Sequence, residues 1–210
     1  PASSPQPWRR KPSPPGRAIP GESLPADHAA ISSVVHESTE TILREVMSLK
    51  AMVDEFSRFA RLPEAKLEAG DIKDAIRQAV ASVDGRFAGV TVEFAENGSL
   101  PETMHDPEQI KRVFVNLIDN AAEAFDETAP EKRVNVTARH DAARELIVAE
   151  VADNGRGIAA ADLQKLFQPY SSTKGRGTGL GLAIVKRIIT DHNGRINVAA
   201  NQPQGAKFII

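Results

Sequence analysis

Residues 175–182 read G-R-G-T-G-L-G-L and run directly into an apolar segment, residues 182–189. Glycine lacks a Cβ, so its backbone can take positive φ and approach a ligand closely. The N–H groups at the start of a helix, together with the helix dipole, favour a bound phosphate. The stretch therefore indicates a phosphate site, with a flexible linker as the alternative. It is not a P-loop, because the G-K-[ST] ending is absent and Lys174 precedes the glycines.

Two asparagines four residues apart, Asn116 and Asn120, mark a second candidate site. The segment 106–125 predicts a helix, with Asp106 as N-cap and Pro107 at the first helical position. Its apolar face comprises Ile110, Val113, Phe114, Leu117, Ile118, Ala121 and Phe125. The two asparagines share another face, and Asn is a poor residue for a helix interior. They indicate an amide oxygen that ligates Mg²⁺ beside nucleotide phosphates, with a solvated face as the alternative.

A carboxylate followed by two glycines, Asp153-Asn-Gly155-Arg-Gly157, comes directly after a predicted strand. Alternation predicts that strand over 146–151 and its partner over 133–139. A carboxylate at a strand end can accept a hydrogen bond from an exocyclic amine such as adenine N6. An ordinary D-N-G turn is the alternative.

A polar loop, residues 168–176, connects a predicted short helix over 160–167 to the glycine stretch. It contains Thr173 and Lys174, a hydroxyl donor and a point charge that could close over phosphates.

The remaining elements follow from periodicity. A helix without Gly or Pro is predicted over 31–62, and apolar residues spaced four and three apart give it a heptad face that needs a partner. That face comprises Ile42, Val46, Leu49, Val53, Phe56 and Ala60. A second helix is predicted after its N-cap Asp71, and residues 101–104 form a turn or a short extended piece. Further predicted elements are a strand at 90–94, a helix at 181–191 ending at Gly194, and strands at 195–200 and 207–210.

The bulk composition excludes several functions. A formal charge of −2 gives no basic field for nucleic acid. The absence of cysteine excludes disulfides, thiolate metal sites and Cys nucleophiles. No apolar run reaches about 18 residues and no signal-peptide core is seen, so a soluble intracellular chain is expected. Residues 1–27 are rich in Pro and are predicted to be a disordered tail.

Four motifs stand in chain order: Asn116…Asn120, Asp153-x-Gly155-x-Gly157, Phe167-x-Pro169-Tyr170 and Gly177-Thr178-Gly179-Leu180-Gly181-Leu182. Together they resemble the N, G1, F and G2 boxes of the ATP-binding domain of sensor histidine kinases, over residues 71–210. The helix 39–63 resembles the second helix of that family's dimerisation and phosphoacceptor hairpin, in the form found in nitrogen-regulation sensor kinases.

The resemblance implies an α+β fold, a two-layer sandwich with a mixed, mostly antiparallel sheet under three helices, preceded by one long heptad-patterned helix. It implies three regions: a tail at 1–28, a partial hairpin helix at 29–63 and an ATP-binding domain at 64–210. The implied cofactors are ATP and Mg²⁺.

The resemblance also assigns roles to single residues. Asn116 would bind Mg²⁺, and Asn120 would face the phosphates. Asp153 would bind the adenine amine. Asn116 and Lys174 would act in catalysis. The remaining nucleotide-binding positions are Gly155, Gly157, Thr173, Gly177, Thr178, Gly179, Leu180, Gly181 and Leu182.

Two departures from the family pattern stand out. Residues 205–208 resemble a G-T-x-F motif, but Ala206 replaces the Thr, so one hydroxyl near the adenine is missing. The family's acceptor motif, His-Glu-x-x-Asn-Pro, is absent from the 210 residues. His36-Glu37 is the only His followed by an acid, but the residues after it do not match.

The expected function is therefore the ATP-binding catalytic part of a cytoplasmic sensor histidine kinase that cannot phosphorylate itself within this chain. The expected partners are a response regulator and, through helix 31–62, a second copy or a complete sensor kinase. Nucleic acid is not expected, and a membrane would be reached only through parts outside this chain. The alternatives are a non-catalytic ATP-binding partner module and a related ATPase of the chaperone or mismatch-repair type.

Overall fold

The computed structural model describes residues 26–96, 98–170 and 179–210, so the expected tail lies outside the described residues up to residue 25. In order, the helices and strands are α1 Ala26–Ala60, β1 Glu68–Gly70, α2 Ile72–Val83, β2 Val90–Glu96, β3 Thr103–His105, α3 Pro107–Ala122, β4 Lys132–Asp141, β5 Leu146–Asp153, α4 Ala160–Leu163, α5 Gly181–Asp191, β6 Asn197–Ala200 and β7 Ala206–Ile209. The chain divides into two compact units, Pro1–Ser48 and Leu49–Ile210.

The main sheet of the second unit joins five of the described strands in the order β2-β4-β5-β7-β6. The pair β2–β4 is parallel, and the pairs β4–β5, β5–β7 and β6–β7 are antiparallel. Parallel strands need a long crossover, and α3 lies in the connection between β2 and β4. This mixed, mostly antiparallel sheet confirms the fold class expected from the sequence.

The core lies between one face of this sheet and the helices. Residues two apart share a face of a strand, and Val134, Val136 and Ala138 of β4 are all buried. α3 packs against α2, α5, β4 and β5. Its predicted apolar residues up to Ala121 are buried, and Phe125 is half-buried beyond the end of the helix. α3 is therefore the central helix of the layer that covers the sheet.

The heptad face of α1 is exposed. Its described members Ile42, Val46, Leu49, Val53 and Phe56 have exposed fractions between 45% and 62%. The helix begins at residue 26, earlier than the predicted residue 31, and ends at residue 60. Among the described residues, no helix has the length and apolarity needed to cross a bilayer.

Asp106 joins the segment after α1 to the start of α3. Its Oδ1 accepts from the Gln109 N–H (3.0 Å), which confirms the predicted N-cap, and its Oδ2 accepts from the Lys66 N–H (2.9 Å). The Gln109 side-chain amide donates to the Pro63 carbonyl (3.0 Å). Burial raises the pKa of the Asp106 carboxyl, but the N–H groups of Lys66, Gln109 and Glu108 outweigh it, and the pKa is lowered.

Replacing Asp106 with alanine is expected to lower the free energy of unfolding by about 1–2 kcal/mol at pH 7. A lowered folded-state pKa means that the carboxylate's contribution is complete above the unfolded value, about 3.9, and is lost as the pH falls through the folded pKa. The difference from the wild type should therefore shrink in acid, which urea unfolding at a series of pH values would measure. Asp71→Ala is the matched control for the loss of a helix cap, because the Asp71 side chain accepts from the Lys73 N–H at the start of α2. A difference for Asp106→Ala that stays constant down to pH 3 would contradict this account.

Candidate functional site

Asp153 is a buried carboxylate at the end of β5, with an exposed fraction of 3%. It continues the alternation of Ala149 and Val151, which are buried on the helix-facing side of the sheet. Its Oδ1 accepts from the Gly155 N–H (2.9 Å) and from the Ala206 N–H (3.2 Å). An ordinary exposed D-N-G turn does not bury its carboxylate in this way. The structure therefore places a fixed acceptor group where the sequence predicts one.

The loop after Asp153 packs closely against the end of α3 and against β7. A Cβ on Gly155 would lie 2.7 Å from the Ala124 carbonyl oxygen, which accepts from the Arg156 N–H (3.1 Å). Gly157 has φ +74°, and a Cβ there would lie 3.1 Å from the Gly205 carbonyl oxygen. Close backbone approach thus requires glycine at 155, whereas at 157 the contact is tight and the positive φ favours glycine.

Asn154 holds this loop to β4, a role that the sequence did not reveal. Its Oδ1 accepts from the Arg133 N–H (2.8 Å), and its Nδ2 donates to the Glu131 carbonyl (3.2 Å). The Asn154 N–H also donates to the Arg133 carbonyl (3.3 Å). An Asn after a strand and before a Gly has this bonding capacity, but its partners lie in a distant strand.

Asn116 and Asn120 of α3 share one face, as their spacing predicts, and both lie beside the start of α5. A Cβ added to Gly181 would lie 3.6 Å from Asn116 Oδ1 and 3.9 Å from Asn120 Nδ2. Both asparagines are half-buried. The two side-chain amides therefore border the first turn of α5.

The first turn of α5 is built around Leu180, which is fully buried and occupies the N-cap position. Gly179 before it has φ +70°, and Leu182 after it is half-buried against the core. Among the described residues, no side chain caps this helix start, and its first turn contains no acidic residue. The N–H groups of a helix start and the positive end of its dipole favour a bound phosphate.

Asp119 is a second carboxylate on α3, about 100° around the helix from Asn120. Burial raises its pKa, the nearby Arg86 guanidinium opposes that rise, and Glu123 adds to it. Arg86 Nη2 donates to Asp119 Oδ2 (3.2 Å), whereas Oδ1 is buried without a hydrogen-bond partner among the described residues. Arg86 lies three residues after the end of α2, so this pair connects the segment after α2 to α3.

Residues 171–178 contain the predicted site residues Thr173, Lys174, Gly177 and Thr178, and they lie outside the described residues. The residues that flank them are hydrogen-bonded to each other, because the Tyr170 N–H donates to the Gly179 carbonyl (3.1 Å).

The Phe167-x-Pro-Tyr170 segment contacts two helices. The Lys186 ammonium of α5 lies 5.9 Å from the centroid of the Phe167 ring. The Tyr170 ring stacks on Phe56 of α1, with the centroids 6.4 Å apart. The helix predicted over 160–167 is shorter, since α4 ends at Leu163 and turns follow.

The family model described as "Histidine kinase-, DNA gyrase B-, and HSP90-like ATPase" matches residues 105–210, just over half of the chain. These residues include Asn116, Asp153 and the first turn of α5. The chain belongs to this ATPase family. The match confirms the family expected from the sequence motifs.

Two curated relatives that resemble the chain are named as a sensor histidine kinase and a nitrogen regulation protein. "Sensor histidine kinase ZraS" of Escherichia coli O157:H7 is 33% identical over 187 residues, which are 88% of this chain and 40% of that protein. "Nitrogen regulation protein NtrY" of Azorhizobium caulinodans is 34% identical over 174 residues, 82% of this chain and 22% of that protein. The chain thus spans less than half the length of these relatives.

A solved structure has a similar fold. The structure described as "Crystal structure of ShkA full-length in complex with AMPPNP" is 30% identical, with a TM-score of 0.67 over 82% of this chain and 37% of that one. These similarities confirm the predicted resemblance to sensor histidine kinases.

Proposed function

We propose that residues 64–210 form the ATP-binding catalytic domain of a sensor histidine kinase, which transfers the γ-phosphoryl group of Mg·ATP to a histidine. Residues 29–63 form part of the dimerisation and phosphoacceptor hairpin in this proposal. One observation carries it. The buried Asp153 carboxylate, the close-packed loop after it and the two amides beside the start of α5 belong to one ATPase-family domain.

The base would be recognised by Asp153. Its carboxylate is held by two backbone N–H groups, so it can accept from the adenine amine without reorganising. Gly155 and Gly157 keep the loop beside it free of Cβ atoms, as a flat base needs. The residues present fit adenine.

The phosphates and Mg²⁺ would be held between α3 and α5. Asn116 Oδ1 is an oxygen donor of the kind that Mg²⁺ accepts, and Asn120 borders the same turn. Phosphate oxygens would complete the ion's shell, since Mg²⁺ usually takes one or two protein ligands together with substrate phosphates. When bound, Mg²⁺ would neutralise charge on the transferred phosphoryl group.

The remaining contacts belong to residues 171–178 and to the helix start. Thr173 and Lys174 would bind phosphate oxygens, and Lys174 would also neutralise charge during transfer. Gly177, Thr178 and Gly179 would act as the hinge of a lid, and Leu180, Gly181 and Leu182 would form the turn below the phosphates.

The phosphorylated histidine would lie on another chain or on a segment outside these 210 residues, which contain no His-Glu-x-x-Asn-Pro motif. His36 is the strongest internal candidate. It is exposed, and its Nε2 lies 3.3 Å from Glu40 Oε1 one helical turn away. It lacks the residues that follow the histidine in the family motif.

The partners in this proposal are a response regulator and a second helical hairpin. The exposed heptad face of α1 would pair with a second copy or with a complete sensor kinase, because an apolar seam of this length is stabilised by burial. The domain would work in the cytoplasm, where ATP and response regulators are found.

Incubation with γ-labelled ATP and Mg²⁺ tests the proposal. The chain alone should bind ATP and remain unlabelled, and a separate hairpin that carries the acceptor motif should acquire acid-labile label when it is added. Asn116→Ala should abolish this labelling, whereas Lys50→Ala, a change on the exposed face of α1, should not.

Three other results would contradict the proposal. Acid-labile label on the chain itself would place the acceptor inside it. Steady hydrolysis without a phosphoprotein would favour an ATPase of the chaperone or mismatch-repair type. Nucleotide binding with neither activity would favour a non-catalytic partner module.

A further inference from the structure

The carbonyl group of Asp153 lies where the ladder between β5 and β7 ends. The ladder pairs Glu150 with Ile209, Val151 with Phe208 and Ala152 with Lys207. The next two residues along the strands are Asp153 and Ala206. The ladder does not continue to them, because the Ala206 N–H donates to the Asp153 side chain instead. A buried backbone carbonyl at this position needs a donor from elsewhere.

Asn201 supplies that donor from the turn between β6 and β7. Its Nδ2 donates to the Asp153 carbonyl at 2.8 Å, across 48 residues of sequence. Its own N–H donates to the Gly205 carbonyl at 3.0 Å and closes the turn. Asn201 is half-buried, while its neighbours Gln202 and Gln204 are exposed.

Two further residues at the end of the same turn, Gly205 and Ala206, also contact Asp153. Gly205 lies against the Asp153 carbonyl oxygen, which a Cβ would approach to 1.9 Å. Ala206, the next residue, holds the carboxylate. Asn201 therefore fixes both the peptide group of Asp153 and the turn that presents the second donor to its side chain.

We infer that Asn201 is a positioning residue for base recognition: by fixing Asp153 it sets the preference of the site for a purine with an exocyclic amine. This inference rests on the proposed function. Asn201 lies outside the four motifs that the sequence singled out and does not itself need to touch the nucleotide. A polar group that recognises one substrate rejects an analogue that lacks the matching donor, so misplacing Asp153 should affect a nucleotide with the amine more than one without it.

Nucleotide selectivity provides the test. We would measure the dissociation constants of ATP and of inosine triphosphate, in which a carbonyl oxygen replaces the amine, for the full chain and for Asn201→Ala. The wild type should prefer ATP. In the variant ATP binding should weaken about tenfold, roughly the contribution of one hydrogen bond. Inosine triphosphate binding should change little, so the preference for ATP should fall by a similar factor.

Two further variants complete the design. Asn201→Asp keeps the shape of the side chain but removes the donor, so it should also lower the preference even if Asn201→Ala folds poorly. Gln204→Ala, at an exposed position of the same turn, should leave the preference unchanged. Amide exchange without nucleotide gives an independent readout, because the Gly155 N–H that donates to Asp153 should exchange faster in both Asn201 variants.

The results that would contradict the role of Asp153 differ from those that would contradict only the role of Asn201. Equal binding of ATP and inosine triphosphate by the wild type would overturn the proposed role of Asp153 and this inference with it. A wild-type preference that survives in both Asn201 variants, or an equal weakening of both nucleotides, would overturn the role of Asn201 alone. Unchanged Gly155 exchange would do the same.

Discussion

Replacing Gly205 with alanine is expected to lower the free energy of unfolding by about 3–5 kcal/mol. The new Cβ would lie 1.9 Å from the Asp153 carbonyl oxygen and 2.7 Å from its carbon, and both atoms are backbone that cannot rotate away. In addition, Gly205 has φ +116°, a conformation that a residue with a side chain rarely adopts. Either β5 or the turn must move, and Asp153 moves with it.

Gly85→Ala is the matched control for Gly205→Ala. Gly85 also has positive φ (+69°), but a Cβ there meets nothing within 4 Å among the described residues. Only the conformational cost remains, about 1–2 kcal/mol. Urea unfolding of both variants would separate the two contributions. Equal losses would show that backbone conformation alone, and not the contact with Asp153, determines the cost at Gly205.

Replacing Asp153 with asparagine is expected to weaken ATP binding about 10- to 100-fold, because a hydrogen bond to a charged group is lost. The substitution is nearly isosteric. The amide oxygen of asparagine can still accept from the Gly155 and Ala206 N–H groups, so the loop should keep its conformation. The NH₂ group that replaces the second oxygen is a donor, and it would face the donor amine of adenine.

Calorimetric titration with an ATP analogue and Mg²⁺ would measure this loss. Asp141→Asn is the control, because it makes the same chemical change at the end of β4, where Asp141 pairs with Arg144 instead. Thermal unfolding of both variants would verify that they fold. A properly folded Asp153→Asn protein that binds ATP like the wild type would remove Asp153 from base recognition.

Local sequence signals were sufficient to predict the position of most of the helices. The bounds of α5, Gly181–Asp191, agree with the prediction, and Asp71 and Asp106 cap α2 and α3 as predicted. These features depend on residues within a few positions of each other, such as a cap and an apolar period. The end of α5 differs in detail. The left-handed residue there is Asn193, with φ +58°, whereas Gly194 is in tight contact with Ile189.

Features that depend on distant pairing were not predictable in the same way. The strand β1 has only three residues and forms through its pairing with β3. β3 overlaps residues 101–104, for which the sequence predicted only a turn or a short extended piece. The parallel pairing of β2 with β4 was not specified by alternation, which is the same for parallel and antiparallel strands on one buried face.

In the candidate site too, local features were predictable from the sequence and contacts between distant residues were not. The spacing of Asn116 and Asn120 predicted their shared face, and the position of Asp153 after a strand predicted an acceptor there. The contacts of Asn154 and Asn201 connect residues 21 and 48 positions apart, and they arise only once the strands are paired. Neither residue has a local pattern that would distinguish it from an ordinary turn asparagine.

The hydrogen bond between Tyr170 and Gly179 has a consequence for variation in chain length. It brings together the two ends of residues 171–178, so the rest of the fold does not depend on how many residues lie between them. Closing a loop becomes costlier only with the logarithm of its length, and doubling the length adds about 0.6 kcal/mol. Insertions, deletions or a fluorescent reporter peptide at this position are therefore expected to have little cost to stability.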